Sequence, residues 1–330
     1  MTHGNARTSF ERFPRAGLAA DPIHVGAGGA RLGRVDNTIV RDPATKLPKI
    51  PGSSLAGVLR TYVAMAEENG RNGGTRGKPY YPDCAGQGQP RDGSGGHCGR
   101  SDCRVCTVFG FARGKDSAGG FAGLASFSDL HLLLFPVPTR EGPVWVTSPG
   151  ALRIAGIDQK IDDEDKIYRK IYRKIYRKDG QPSDLNLGWL LLPVDQLSDG
   201  DLDARLGELG IAGYICDRTV VTSDKLFGHV VNSNLEVRTS VAIDPATGAA
   251  EEGALFSYEA LPRASVLYWD VVCRHPGHFT IGKEQVVAVT SPTDVHRVVE
   301  KAYPYLEALG IGGMGTRGMG RLRVLAKGGA

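Results

Sequence analysis

The sequence predicts an α+β chain in which a βαββαβ arrangement is interrupted by two long insertions. Three observations carry that expectation. Four runs mix β-forming residues with partial alternation, two stretches repeat apolar residues at helical spacing, and Gly-rich segments separate several of them. In chain order the six read strand, helix, strand, strand, helix, strand.

SFERFPRAGL opens the series as the first strand and leads into a Gly-rich loop, HVGAGGARLG. From Ser53, residues Leu55, Val58, Leu59, Tyr62, Val63 and Ala66 fall on one helical face, with Ser53 or Ser54 as N-cap and Gly70 beyond the end. ASFSDLHLLLFPV and RASVLYWDVVCR are the second and third strands. A helix from Thr293 buries Val295, Val298, Val299, Ala302, Leu306 and Leu309, with a kink expected at Pro304 and a stop at Gly310. RLRVLA is the last strand. The insertions lie at about 72–118 and 138–262, within one elaborated domain spanning 1–330. The second includes VRTSVAIDPATGAAEEGALFSYEALP, two short strands joined by a DPATG turn.

Composition narrows the function classes. At 41% hydrophobic and 23% charged, the 330 residues describe a folded chain with a sizeable core. No run approaches the roughly 20 apolar residues of a membrane span, and MTHGNARTSFERFPRAG lacks the apolar region of a signal peptide. The expectation is a cytoplasmic protein without a membrane partner. The net charge of +4 is local in origin, because IYRKIYRKIYRK alone holds six basic residues and 4 − 6 = −2. It therefore argues little about partners.

Four of the six cysteines, Cys84, Cys98, Cys103 and Cys106, cluster in a Gly-rich insertion, while Cys216 and Cys273 are isolated. Clustered cytosolic thiols, including a C-x₂-C pair, point to a closed structural zinc site rather than to unliganded thiols. His97 is the alternative fourth ligand. Cys84 is preferred, because His97 and Cys98 are adjacent and hard to fold around one ion. A structural zinc would supply about 10–16 kcal/mol to a segment with little apolar content. A zinc deaminase is excluded by the missing H-x-E, since His97 sits in GGHCGRSD.

Two segments suit phosphate. GIGGMGTRGMG frees the backbone for close approach while Arg317 and Arg321 supply cations, the plain alternative being a flexible connection. IPGSSLAGVLR places free N–H groups at a helix N-terminus, with Ser53, Ser54 and Arg60 available to an anion, the alternative being a capped helix. The IYRK copies interleave Tyr with cations, as single-strand binders do, but a perfect repeat reads first as a solvated arm.

VDNTIVRDPATKLPKIPGSSLAGVLR, CRVCTVFG, FSDLHLLLFPVPTREGPVWVTSP, LFSYEALPRAS and LGIGGMGTRGMGRL, in that order, resemble the RAMP superfamily of CRISPR-associated proteins. Within it they are most similar to the backbone subunit of type III interference complexes. The resemblance implies a ferredoxin-like, RRM-type palm with a zinc-containing fingers insertion and a thumb-like β-hairpin. It implies partners too: guide RNA, target RNA, further copies of the chain and other effector subunits. Asp36, in RVDN, matches the family's cleavage residue, and Gly312, Gly313, Gly315, Arg317 and Gly318 match the loop lying on guide RNA. The IYRK copies and the long Gly loop at 86–99 depart from the family pattern.

RNA carries its own nucleophile, so in-line geometry and one carboxylate suffice, the carboxylate acting as base or holding Mg or another divalent cation. The expected activity is endoribonucleolytic, with an inactive RNA-binding scaffold as the alternative. A guide-RNA processing endonuclease of the same superfamily would use a His near the N-terminus, for which only His24 is a candidate. Asp42, followed by Pro43, reads as the first residue of an Asx turn.

Overall fold

The computed structural model describes residues 8–28, 35–69, 80–86, 97–112, 120–170, 184–197, 201–251 and 254–326. The chain forms two compact units. One comprises Met1–Pro14, Pro51–Asp129 and Asp270–Leu309, and the other Arg15–Ile50, Leu130–Trp269 and Gly310–Ala330.

A mixed sheet is the main β structure, and the larger unit holds residues 15–19 and 266–269 of two of its strands. Leu322–Val324, Phe10–Ala19, Val266–Arg274 and Leu130–Thr139 lie side by side in that order. Numbered as the sequence presents them, these strands stand 4-1-3-2, the split arrangement of a ferredoxin-like sheet. They are recognisable in the sequence because they are apolar and mostly long: Leu130, Leu132, Leu133, Leu134 and Phe135 are all buried.

The 138–262 insertion is richer than a hairpin. Gly142–Thr147 pairs antiparallel with Leu130–Thr139, Thr219–Val221 pairs parallel with Gly142–Thr147, and Ile167–Arg169 and Val194–Gln196 complete the row. Trp145, Leu152, Tyr168, Leu206, Ile215 and Val221 pack into the same core as Leu133 and Leu134. Three-residue strands are too short to show alternation, so the sequence signals there are weak.

Ile167–Arg169 belongs to the first IYRK copy. Ile167 is 0% exposed and Tyr168 4%, while Arg169 pairs with Glu141 at 2.8 Å and Lys170 with Asp203 at 2.7 Å. This copy is therefore a core strand and not a solvated arm. The remaining copies, 171–178, lie outside the described residues.

The expected hairpin is present. Glu236–Ser240 and Phe256–Ala260 pair antiparallel from Glu236↔Ala260 to Ser240↔Phe256. In the DPATG turn Asp244 accepts from Ala246 N–H and the Thr247 hydroxyl, and Gly248 has φ +66°.

In the smaller unit, the helix Gly52–Asn69 begins one residue before Ser53. The second helix is two helices, Pro292–Glu300 and Tyr303–Leu309. Pro304 ends the first rather than kinking a continuous one, because its ring would collide with the carbonyl four residues back, at Glu300. It is accommodated in the first turn of the second, where its missing N–H costs nothing. Among the described residues no helix is long and apolar enough to cross a membrane.

Candidate active site and metal centre

Asp36 is exposed in the larger unit, beside the Phe256–Ala260 strand. Asn37 N–H donates to Ser257 O at 3.1 Å and Glu259 N–H to Asn37 O at 2.9 Å, so the segment lies along that strand's edge. Ser257 then holds the carboxylate through its N–H at 2.7 Å and its hydroxyl at 2.9 Å, both on Oδ2. These donors, the backbone N–H foremost, hold the Asp36 carboxyl below its usual range. Asp36's own backbone N–H adds a smaller contribution in the same direction. The group is thus an ionised, fixed carboxylate exposed to solvent.

Asp42 has the other fate. Its Oδ1 accepts from Ala44 and Thr45 N–H at 3.0 and 2.9 Å, closing an Asx turn that continues to Lys49 at 3.6 Å.

The C-terminal Gly loop is closed by its ends: Ile311 N–H donates to Gly320 O at 2.9 Å. Gly312, at φ +89°, passes so close to His24 that a Cβ would stand 2.3 Å from His24 O. Gly313 N–H donates to that same carbonyl at 2.8 Å. Gly315 and Gly318 face open space. Met319 is buried with Tyr258 and Ala260, which seats the loop on the hairpin. Arg317 is exposed, its guanidinium 5.6 Å from the Phe256 ring centroid. Arg321 differs from expectation, because Asp21 engages it through both carboxylate oxygens, one at 2.9 Å from Nη2. His24 is 7% exposed and its Nδ1 lies 2.6 Å from Glu259 O, to which it donates.

The smaller unit holds the other candidates. Gly52 N–H at the helix N-terminus donates to Asp129 Oδ1 at 2.8 Å, so the protein's own carboxylate already meets the dipole. Ser53 is exposed and Ser54 half-buried. Arg60, expected to help hold an external anion, is 8% exposed and directed inward. It donates to Cys84 O at 2.8 Å, Gly110 O at 2.6 Å and His97 Nδ1 at 2.7 Å. Eight residues after the helix begins, this side chain points into the unit, which sequence spacing alone does not disclose.

Cys84, Cys98, Cys103 and Cys106 bring their sulfurs within 4.8 Å of one another. The separations Cys84–Cys106, Cys98–Cys106 and Cys84–Cys103 are 3.6, 3.7 and 3.9 Å. A tetrahedral ion with thiolate bonds of about 2.3 Å requires edges of about 3.8 Å. Cys103 caps the helix Arg104–Phe109 and Cys106 sits in its first turn, which is how C-x₂-C turns both sulfurs to one point. Hydrogen bonds from Cys103, Cys84 and Cys98 push the Cys106 thiol down, and the same contacts, that with Cys106 first, push Cys103 up. A cation would let all four ionise together. The donors fill every position of a tetrahedron, so this centre can hold a metal but offers no open coordination site.

The description of the RAMP superfamily matches residues 19–323. The chain belongs to the RAMP superfamily. Two curated relatives of this RAMP chain carry endoribonuclease names. It is 33% identical over 105 residues to the CRISPR system Cms endoribonuclease Csm3 of Methanothermobacter thermautotrophicus, covering 31% of this chain and 34% of that relative. It is 24% identical over 271 residues to the CRISPR system Cmr endoribonuclease Cmr4 of Pyrococcus furiosus, covering 75% and 76%. The alignment thus spans about a third of the first relative's length and about three quarters of the second's. Among solved structures, a type III-B Cmr-beta complex bound to cognate target RNA contains a chain with TM-score 0.60 at 15% identity, covering 96% of this chain and 98% of that one. A crystal structure of Cmr4 gives 0.57 at 17%, covering 96% and 100%. At these identities the likeness establishes the RAMP fold.

Sequence reasoning missed Ser257 as the anchor of Asp36 and Glu259 as the acceptor that places Arg41, at 2.9 Å. Both lie more than 200 residues from their partners, so no local pattern marks them.

Proposed function

We propose that this RAMP chain is a guide-RNA-binding backbone subunit of a type III CRISPR effector complex, and that it cleaves target RNA at regular intervals with Asp36 at the scissile phosphate. The observation that carries the reading is the exposed, ionised Asp36 carboxylate, fixed by two donors from Ser257. The RNA 2′-oxygen attacks phosphorus in line, the bond to the 5′-oxygen breaks, and a 2′,3′-cyclic phosphate and a 5′-hydroxyl result. Asp36 takes or orients the 2′-OH proton. A divalent cation such as Mg, where bound, would stabilise charge on the phosphate. The lowered acidity range of Asp36 favours the form that accepts a proton or holds a cation at neutral pH.

Arg317, Gly315 and Gly318 form the open part of the Gly loop and are the residues placed to meet guide RNA. Ser53 and Ser54 are secondary contacts. Zinc at Cys84, Cys98, Cys103 and Cys106 is structural. Partners are guide RNA, target RNA, further copies of the chain and other effector subunits, in the cytoplasm. The buried, hydrogen-bonded His24 suits a post for the Gly loop better than the acid or base of a guide-processing enzyme.

The test is target cleavage by the assembled complex with Asp36→Ala. Fragments at regular spacing from the unaltered complex, reduced about 100- to 10,000-fold in the variant while target RNA stays bound, support the reading. Equal cleavage by both leaves the chain a binding scaffold.

A further inference from the structure

The helix Asp224–Ser233, in the larger unit, has a different feature at each end. At its C-terminal end stands Trp189, 81% exposed, whereas the chain's other tryptophans, Trp145 and Trp269, are 5% and 0% exposed. An indole so exposed contributes little to a core, and here it is held in place. It sits with Gly188 in the two-residue turn between the strands Leu185–Leu187 and Leu190–Leu192. Gly188 has φ +63°, and a Cβ there would come 2.5 Å from Asn234 Oδ1 at the helix C-cap. Gly188 N–H also donates to Pro138 O at 3.3 Å, and Arg140 N–H to Asn186 Oδ1 at 2.8 Å. The turn is braced on two sides, so the indole is presented in a fixed position.

At the N-terminal end, Asp224 and Lys225 line a cavity of about 520 Å³. Its floor is apolar, built from the buried Pro48, Leu132 and Ala151, and Ile154, 43% exposed, stands at its mouth. Asp224 Oδ1 accepts from Gly150 N–H at 2.8 Å, which ties the helix end to the facing wall. The rim carries both signs of charge, with Lys49 and His131 beside Asp42 and Lys225 beside Asp224. Ten helical residues at about 1.5 Å each put about 15 Å between the two ends. Trp189 therefore does not fill the cavity of its own chain.

Indole and cavity match as anchor and receptacle. The volume falls in the range of sites that enclose a compact apolar group, and a tryptophan buries about 150–250 Å² when enclosed. The rim supplies what an indole needs besides apolar contact: the exposed Lys225 ammonium for its π face, and the Asp224 carboxylate as acceptor for its N–H. A tryptophan seated in a pocket is the residue type that most often dominates the energy of a protein interface. We propose that Trp189 of one copy of this chain docks into the 520 Å³ cavity of the next copy. The inference rests on the proposed backbone-subunit role and names the residues that join neighbours. Because anchor and receptacle are different surfaces, the contact is head-to-tail. Each row of copies keeps a free indole at one end and a free cavity at the other, so addition continues in one direction. A two-fold pair would leave no such ends, and successive copies along one guide strand must all face the same way.

The experiment is sedimentation velocity of the full chain loaded on single-stranded RNA of guide length, unaltered and as Trp189→Ala and Ile154→Glu, both at exposed positions. The unaltered chain is expected to load several copies per RNA cooperatively. Each variant alone should bind RNA as a single copy with the affinity of the unaltered chain, its cooperativity lowered about 30-fold or more. An equimolar mixture of the two should recover pairs containing one copy of each and nothing longer, because Trp189→Ala keeps its cavity and Ile154→Glu keeps its indole. Cooperative loading that survives in either variant, or a mixture that does no better than its parts, overturns the docking and leaves the backbone role intact. One copy per RNA for the unaltered chain removes both.

Discussion

Ser257 grips Asp36 twice, its N–H and its hydroxyl converging on one carboxylate oxygen at 2.7 and 2.9 Å. Both bonds favour the charged form, the N–H more, so the folded carboxyl titrates below the unfolded value of about 3.9. A depressed folded value stabilises the fold above the unfolded one, and that contribution is lost as pH falls through the folded one. Ser257→Ala removes the hydroxyl and keeps the N–H. The acid limb of target cleavage should move to higher pH, read from a pH–rate profile, and an unmoved limb would show that Asp36 ionisation does not govern the rate.

Arg60 serves the interior of its unit and should behave accordingly. Arg60→Ala would strand the Cys84 and Gly110 carbonyls and remove a cation beside four sulfurs. A loss of about 3–5 kcal/mol is expected in denaturant unfolding. Arg60→Lys keeps the charge but not the planar fork, and should recover only part of it. Unchanged stability in both variants would return Arg60 to the list of surface contacts.

The cysteine centre should carry about one zinc per chain by elemental analysis. Cys103→Ser or Cys106→Ser should release it and lower the unfolding midpoint, as should a strong chelator. Cys216→Ser, away from the cluster, should leave the metal content unchanged. Full metal content in Cys106→Ser would count against a four-cysteine site.

The Gly loop separates required from permitted glycines. Gly312→Ala places a Cβ 2.3 Å from His24 O at φ +89° and should cost about 2 kcal/mol or more. Gly315→Ala meets nothing within 4 Å and should stay within about 0.5 kcal/mol. Thermal unfolding of the two variants distinguishes them, and equal stability would mean the loop does not close on His24.

Much of this was legible in advance, for physical reasons. Long apolar strands such as Leu130–Thr139 declare themselves, and a C-x₂-C on one helical turn sends two sulfurs the same way. Asp42 followed by proline spelled out its own turn. Arg60 was misjudged because helical spacing says which residues share a face, not what lies opposite. The ion pair of Arg321 with Asp21 had no local signal, because the two are 300 residues apart. The first IYRK copy was misjudged because repetition disguised a short core strand.

That strand has a genetic consequence. Because the copies are identical, deleting any four consecutive residues within 167–178 regenerates the same Ile-Tyr-Arg-Lys at its start. The Ile167 and Tyr168 core contacts and the Arg169 and Lys170 ion pairs are then rebuilt by whichever copy comes first. A deletion or insertion of whole Ile-Tyr-Arg-Lys units therefore changes the chain length after residue 170 and leaves the residues of the strand in place.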